Sequence, residues 1–297
     1  ERGVCNRARG GFMKSGWMVK GNVKEADELR AVAFLDHIPG TAEGQWDVSE
    51  EQDGSVMAWT ADVDGELVLY IGSEGGVKAS GNCSWMFSEC ENLEEIYFGQ
   101  NFDTSAAVNM SGMFYRCRSL TWLDLAGINT SKVENMSSMF EDCSELCELD
   151  LSEFDTSSVT DMSSMFEGCH SLCELNIRGF DTSQVTDMDF MFEECFSLEE
   201  LDLRSFDTSK VIHMRAMFWD CSSLEKLDVS SFDTSRTESV AWMFYGCESL
   251  EKLPCEHFDL SNVEDCRDML ARTRWEPWTD PYSGKLILPT GQPRQKC

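Results

Sequence analysis

Phe154–Gly179 reads FDTSSVTDMSSMFEGCHSLCELNIRG, and Phe180–Ser205 reads FDTSQVTDMDFMFEECFSLEELDLRS. The two stretches align without a gap, so the chain repeats itself with a period of 26 residues. Outward from this pair, Met-Phe recurs at Met86, Met113, Met139, Met165, Met191, Met217 and Met243, and a degenerate copy stands at Met269-Leu270. A fixed period of this length predicts a solenoid, in which each unit buries its apolar face against its neighbours. It also shifts expectation from an enclosed active site to an extended binding surface.

Each unit has two halves. The first reads L-x-x-L-x-L, as in Leu146, Leu149 and Leu151, and ends on strand alternation. In the second half Val159, Met162, Met165 and Phe166 fall at i, i+3, i+6 and i+7, which predicts one face of a short helix. Ser131/Glu134, Ser235/Glu238 and Ser261/Glu264 fit capping boxes, and Gly168 and Gly246 fit helix C-caps. The expected fold is therefore an α/β leucine-rich-repeat solenoid. A curved parallel sheet would form its concave face, with short helices outside and a small N-terminal β cap.

The phrases LDLSEFDTSSVTDMSSMFEGC (Leu149–Cys169) and LDLRSFDTSKV (Leu201–Val211) resemble the BspA-like bacterial surface proteins with leucine-rich repeats. The resemblance spans roughly residues 83–270. It implies a cell-surface or secreted adhesion protein and leaves the ligand open.

The expected organisation is a lead-in at 1–28, an N-terminal β cap at 29–82, the solenoid at 83–271 and a C-terminal cap or tail at 272–297. Within the cap, strands are expected at Arg30–Ile38, Ser55–Ala61 and Glu66–Gly72, with Leu67–Ile71 as the strand of an incomplete first repeat. The tail holds Trp275, Trp278 and Tyr282.

The chain carries 54 Asp+Glu against 24 Lys+Arg, a formal net charge of −30. That balance disfavours nucleic acid and anionic membranes, and no apolar run approaches the ~18 residues of a membrane span. The partners expected are protein or glycan ligands on another cell or matrix, without membrane insertion.

Of 14 cysteines, Cys90, Cys117, Cys143, Cys169, Cys195, Cys221 and Cys247 share one column of the repeat. They are expected as buried, reduced thiols. Cys83 and Cys266 take the column of Met162, and Cys255 that of Leu151. Cys147 and Cys173 stand outside these columns. With Cys143 and Cys169 they make two C-x3-C pairs, compatible with a disulfide, zinc or free thiols. Many free thiols suit a reducing compartment, which keeps a cytoplasmic scaffold or effector as the alternative to the surface assignment. A calcium- or zinc-stabilised structural array is a third reading.

Two surfaces are candidate sites. Outward strand positions run Glu95, Trp122, Glu148, Glu174, Glu200, Lys226, Lys252 and Tyr97, Asp124, Asp150, Asn176, Asp202, Asp228, Pro254. From these, Trp122, Glu148, Asp150, Glu200 and Asp202 are taken as candidates, because stacked like charges are unfavourable unless paired, hydrated or used. The second surface comes from drift in the other half of the repeat. Ser164 gives way to Phe190 and Trp242, and Glu167 to Trp219 and Tyr245. Phe190, Trp219, Trp242 and Tyr245 would form an aromatic contact patch. The alternative is packing between neighbouring units.

The Asp103, Asp155, Asp181, Asp207, Asp233 and Asp259 ladder is compatible with calcium, but a local turn with the carboxylate accepting backbone amides is the simpler account. His37, His170, His213 and His257 fall in different columns, and no nucleophile or dinucleotide motif is present. No enzymatic activity, cofactor or metal site is expected.

Overall fold

The computed structural model describes residues 11–14, 16–40, 43–252 and 257–274, with the backbone of two short strands beyond. The proposed strand residues Pro254 and Cys255, and most of the tail, lie outside the described residues.

The cap forms before the first full repeat. A four-residue helix α1 (Val19–Asn22) precedes β1 (Leu29–Leu35), β2 (Trp46–Asp47), β3 (Met57–Val63) and β4 (Glu66–Gly72). Asp64 and Gly65, with φ of 56° and 91°, make the two-residue turn that joins β3 to β4, where positive φ at both positions suits the strand twist. β5 (Val77–Lys78) leads to β6 (Glu95–Tyr97), the strand of the first full repeat, and β7 (Phe102–Asp103) pairs with β5. One five-stranded sheet has the order β2-β3-β4-β1-β6. Leu67–Ile71 is thus in a strand as expected, but one place further out. β1 stands between it and the repeat array, parallel to both β4 and β6. The segment expected as a lead-in is also part of the cap from residue 12 onward. Met13, Trp17, Val19 and Val23 are all under 5% exposed, and the Val19 amide bonds to the Met86 carbonyl.

Beyond the cap the repeats are β-rich. Parallel strands β8 (Glu148–Asp150) and β9 (Glu174–Asn176) pair in register, as do β10 (Glu200–Asp202) and β11 (Lys226–Asp228). After them β12 (Trp278–Thr279) pairs antiparallel with β13 (Leu286–Ile287). The strand side is therefore a series of short parallel pairs.

The expected helices are absent. Each S-x-V-T-D-M-S-x-M-F segment is a chain of turns stacked on the next repeat. The amides of Met136, Ser138, Phe140 and Asp142 bond to Asp161, Ser163, Met165 and Glu167 one rung on. The intervening amides of Met139, Glu141 and Cys143 close i→i+3 turns within the rung. Parallel bridges link Asn109, Asn135, Asp161, Asp187, His213, Ser239 and Asp265 in the same ladder. Two residues per rung take a left-handed backbone, such as Ser138 and Asp142 (φ 56° and 59°) and Phe190 and Glu194 (61° and 56°). No α-helix accommodates that alternation. Gly168 and Gly246 belong to the second of these columns, not to helix C-caps.

The capping boxes do not form either. Ser131 donates both amide and hydroxyl to Asn129, and the Glu134 amide bonds to the Val108 carbonyl of the previous rung. A string of i→i+3 turns brings the chain back to the core every three residues, as a helix does. Val159, Met162, Met165 and Phe166 are accordingly all 0% exposed without being helical.

The core is a set of stacked columns. Phe114, Phe140, Phe166, Phe192, Phe218 and Phe244 lie nearly parallel, with successive centroids 5.4–5.7 Å apart. All seven cysteines of the expected column are buried and reduced. From Cys117 onward each thiol donates to the phenylalanine carbonyl of the preceding rung, as Cys169 does to Phe140 at 3.2 Å and Cys221 to Phe192 at 3.0 Å. The column therefore needs a small apolar residue with a weak donor, which is what cysteine supplies. Burial raises these thiol pKa values, as at Cys143 and Cys195. Cys266 departs from the expectation of a packed thiol, being disulfide-bonded.

A buried threonine spine runs beside the phenylalanines. Thr104, Thr130, Thr156, Thr182, Thr208 and Thr234 are at most 2% exposed. Each hydroxyl donates to the backbone carbonyl 25 residues on, and from Thr104 to Thr208 it also accepts the amide of that same residue, as Thr182 does with Asp207 at 2.9 and 2.8 Å. One buried side chain thus satisfies both polar groups of a peptide position on the next rung.

Candidate functional site

The turn chain fixes which positions face outward. The first left-handed position and the residue three further on lie on the lateral side of each rung, half-buried in most rungs and buried at Ala216 and Glu193. In successive rungs the latter column reads Tyr115, Glu141, Glu167, Glu193, Trp219, Tyr245. Aromatics flank a run of three glutamates.

At the later end the expected aromatic patch comes together. Trp219 stacks on Trp242 at 6.4 Å and meets Tyr245 edge-on at 5.8 Å. Three arginines that sequence reasoning passed over hold it in place. The Arg215 guanidinium lies 5.2 Å from the Phe190 ring and 4.8 Å from the Trp242 ring. Arg267 also lies over the Trp242 ring at 4.9 Å, and Arg272 over the Tyr245 ring at 5.6 Å. The result is a continuous stripe, Phe190–Arg215–Trp242–Arg267, with Trp219, Tyr245 and Arg272 alongside. The four aromatics are half-buried, not fully exposed, because each packs on its neighbours; the arginines are exposed. A signal was available in the sequence. Arg215 and Arg267 stand two residues after the bridge-ladder residues His213 and Asp265, 26 and 78 residues from Asp189, where a cation reaches the rings of adjacent rungs.

The glutamate run is electrostatically unusual. Burial raises the pKa values of Glu141 and Glu167, and lifts that of Glu193 to about 8. Repulsion from Glu167 and Glu194 adds to the effect at Glu193, and Arg215 opposes it. Glu193 Oε2 and Trp219 Nε1, neighbours in the column, are buried without a hydrogen-bond partner.

The strand face carries the other candidates, and the structure separates them. A cavity of about 1060 Å³ includes Glu200 and Asp202 with Arg178, Arg204, Lys226, Lys252 and His257. Glu148, Asp150 and Trp122 lie outside its lining. Here the charges are paired. Lys226 meets Glu200 across one rung, and Asp202 takes Arg204 at 2.7 Å and Arg178 at 3.7 Å. The Arg204 hydrogen bonds hold the Asp202 carboxyl down at about 2. Asp150 accepts the Ser152 amide and the Asn176 side-chain amide, each at 2.9 Å. Glu148 is exposed, Trp122 is 56% exposed, and Tyr97 on the preceding rung is 52% exposed.

The aspartate ladder forms turns. Asp103, Asp155, Asp181, Asp207, Asp233 and Asp259 each accept the amide of the serine two residues on, at 2.9–3.1 Å. Those serine hydrogen bonds lower the Asp155 and Asp207 pKa values. Among the described residues, no three or more His, Cys, Asp or Glu are arranged to hold a metal ion. Cys147 and Cys173 are exposed and Cys143 and Cys169 buried, so the two C-x3-C pairs do not converge. Among the described residues no helix is long and apolar enough to cross a membrane.

No curated protein and no solved structure matches the chain. A family model matches the repeat array. The family model described as "Mycoplasma protein of unknown function, DUF285" matches residues 81–175 and 170–276, about two thirds of the sequence, and the chain belongs to that family.

Proposed function

We propose that the chain is a non-catalytic recognition protein that presents its repeat-built surface to protein or glycan partners. The observation that carries this reading is the Phe190–Arg215–Trp242–Arg267 stripe with Trp219 and Tyr245. Trp, Tyr and Arg dominate binding hot spots, and rings already clamped by arginines lose little side-chain freedom on binding. The resemblance of the repeat phrases to BspA-like leucine-rich surface proteins supports placement at a bacterial cell surface or in secretion. The many reduced thiols favour a second reading, a cytoplasmic scaffold that uses the same stripe.

The test exploits the repeat itself. Ser138 and Ser164 occupy the column of Phe190 and Trp242, and Glu141 and Glu167 that of Trp219 and Tyr245. The combined variant Phe190→Ser, Trp219→Gln, Trp242→Ser, Tyr245→Gln therefore installs residues the fold carries elsewhere, or their neutral counterparts. Both proteins would be applied to an array of immobilised matrix proteins and glycans, with circular dichroism as the fold control. The expected result is binding by the parent chain that falls at least ~10-fold in the folded variant, the scale of one hot-spot contact. Undiminished binding by the variant, with loss on Glu200→Gln plus Asp202→Asn, would move the site to the strand cavity.

A further inference from the structure

One strand-side column reads Glu94, Thr121, Cys147, Cys173, Glu199, Glu225, Glu251. A position mostly held by exposed glutamate is occupied by cysteine in two consecutive rungs. β8 and β9 pair Glu148 with Glu174, so Cys147 and Cys173 face each other at the start of the same ladder. The Cys173 amide donates to the Cys147 carbonyl at 2.9 Å, and the Cys173 thiol lies 3.4 Å from that same oxygen. Both thiols are exposed, whereas the other eight reduced cysteines among the described residues are buried.

We propose that Cys147 and Cys173 are a redox-active dithiol site, which closes to a cross-rung disulfide by exchange with a low-molecular-weight disulfide and prefers a cationic one. Parallel neighbours stand about 4.8 Å apart between Cα atoms, inside the range that disulfides span. The remaining approach of the two Cβ atoms is small, and it falls at the end of a three-residue strand pair that no third strand restrains. Cys143 and Cys169 also sit in adjacent rungs, but each is 0% exposed and its thiol is engaged by a phenylalanine carbonyl at 3.2 Å. They are closed to an external disulfide.

The chemistry balances as two exchanges. One thiolate attacks the external disulfide, forming a mixed disulfide and expelling one small thiolate. The second cysteine, as thiolate, attacks the mixed disulfide at the protein sulfur and expels the other. Two protein thiols and one small disulfide become one protein disulfide and two small thiols; the protein is oxidised and the small molecule reduced. The preference follows from surroundings. Glu148 and Glu174 directly follow the two cysteines, Glu145 stands two residues before Cys147, and Glu199 continues their column; a negative field concentrates cations and repels anions.

The experiment treats the native protein with cystamine, a dication, or with glutathione disulfide, an anion, at low salt. It follows intact mass and disulfide-mapped peptides. The expected product has lost two hydrogens and contains a Cys147–Cys173 linked peptide, formed several-fold faster with cystamine. It melts several degrees higher, because the cross-link closes a loop of 26 residues between the rungs. Cys147→Ser and Cys173→Ser each stop at one mixed disulfide on the remaining thiol. Two stable mixed disulfides on the parent chain without cross-linking, or no reaction of either thiol in the native state, would overturn the site. Equal rates with the two reagents would overturn the cationic preference.

Discussion

The buried threonine spine gives the sharpest test of how the rungs are held together. In the middle of the array, the Thr182 side chain is fully buried and bonds both the amide and the carbonyl of Asp207. Thr182→Val keeps the shape and deletes the hydroxyl. The Asp207 N–H and C=O then lose these partners, at about 1–3 kcal/mol each. An added buried methyl returns about 0.8 kcal/mol. The net cost is on the order of 1–5 kcal/mol, centred near 3. Thr182→Ser does the reverse: it keeps both hydrogen bonds and removes one methyl, for about 1 kcal/mol. Urea denaturation followed by circular dichroism reads the difference. With a urea slope of about 2–3 kcal/mol/M, the valine variant should lose roughly 1 M or more in midpoint, and the serine variant less than half that. A valine variant at least as stable as the serine variant would show that the column is held by packing alone.

Phe166 sits between Phe140 at 5.7 Å and Phe192 at 5.5 Å, and Phe166→Ala should cost on the order of 3–5 kcal/mol by the same denaturation measurement. The left-handed columns predict opposite signs for two small changes. Gly246→Ala adds a Cβ at φ +74° only 2.9 Å from Asp220 Cγ and should destabilise. Ser164→Gly relieves a left-handed serine (φ 55°) and should be neutral or gain up to ~1 kcal/mol; a clear loss would contradict the backbone assignment. The pH dependence also has a definite sign. Glu193 is raised from 4.5 to about 8, so the folded state binds its proton more tightly than the unfolded chain, and stability falls as pH rises between those values. Asp202, lowered to about 2, acts oppositely, its contribution being lost as pH falls from near 4 through 2. Thermal melts should therefore peak near pH 4–5 and decline towards pH 8–9. Glu193→Gln should flatten the alkaline limb, and an unchanged limb would remove Glu193 as its cause.

Period, core columns and cap strands were legible because each depends on apolar residues recurring in register. Phe166, Met165 and Cys169 stand in columns whose members all face inward. What was not legible was the path of the backbone between them. An inward return every three residues is common to a helix and to a chain of i→i+3 turns, so Val159, Met162 and Met165 cannot tell the two apart. The discriminating residues were polar. Asp155 before Ser157 and Asp161 before Ser163 draw amides to side chains, which competes with helix formation. Thr156, repeated without drift from Thr104 to Thr234, was visible in the sequence but reads as a surface residue until its hydroxyl is seen to close a peptide of the next rung. At the candidate site the aromatics were legible as departures from the repeat. The arginines that hold them were legible only as a recurrence at Arg215 and Arg267 in one column, because the contact itself is made across rungs.

The turn chemistry also changes what the acidity means. Asp150, Asp155 and Asp161 each accept the amide two residues ahead, so one repeat uses three carboxylates to shape three corners. The requirement is for a side-chain oxygen, not for charge. Asn129 stands in the column of Asp155 and Asn135 in that of Asp161, and each accepts the corresponding serine amide at 3.0 and 2.9 Å. A large part of the −30 formal charge is thus a consequence of repeating an aspartate-rich turn, and it argues weakly for a cationic partner. The lateral stripe follows from no such requirement. Serine and glutamate satisfy the same backbone at Ser138, Ser164, Glu141 and Glu167, so the fold does not demand Phe190, Trp242, Trp219 or Tyr245. Residues that a repeat does not need, gathered on one face and clamped by three arginines, are where recognition by this chain is to be sought.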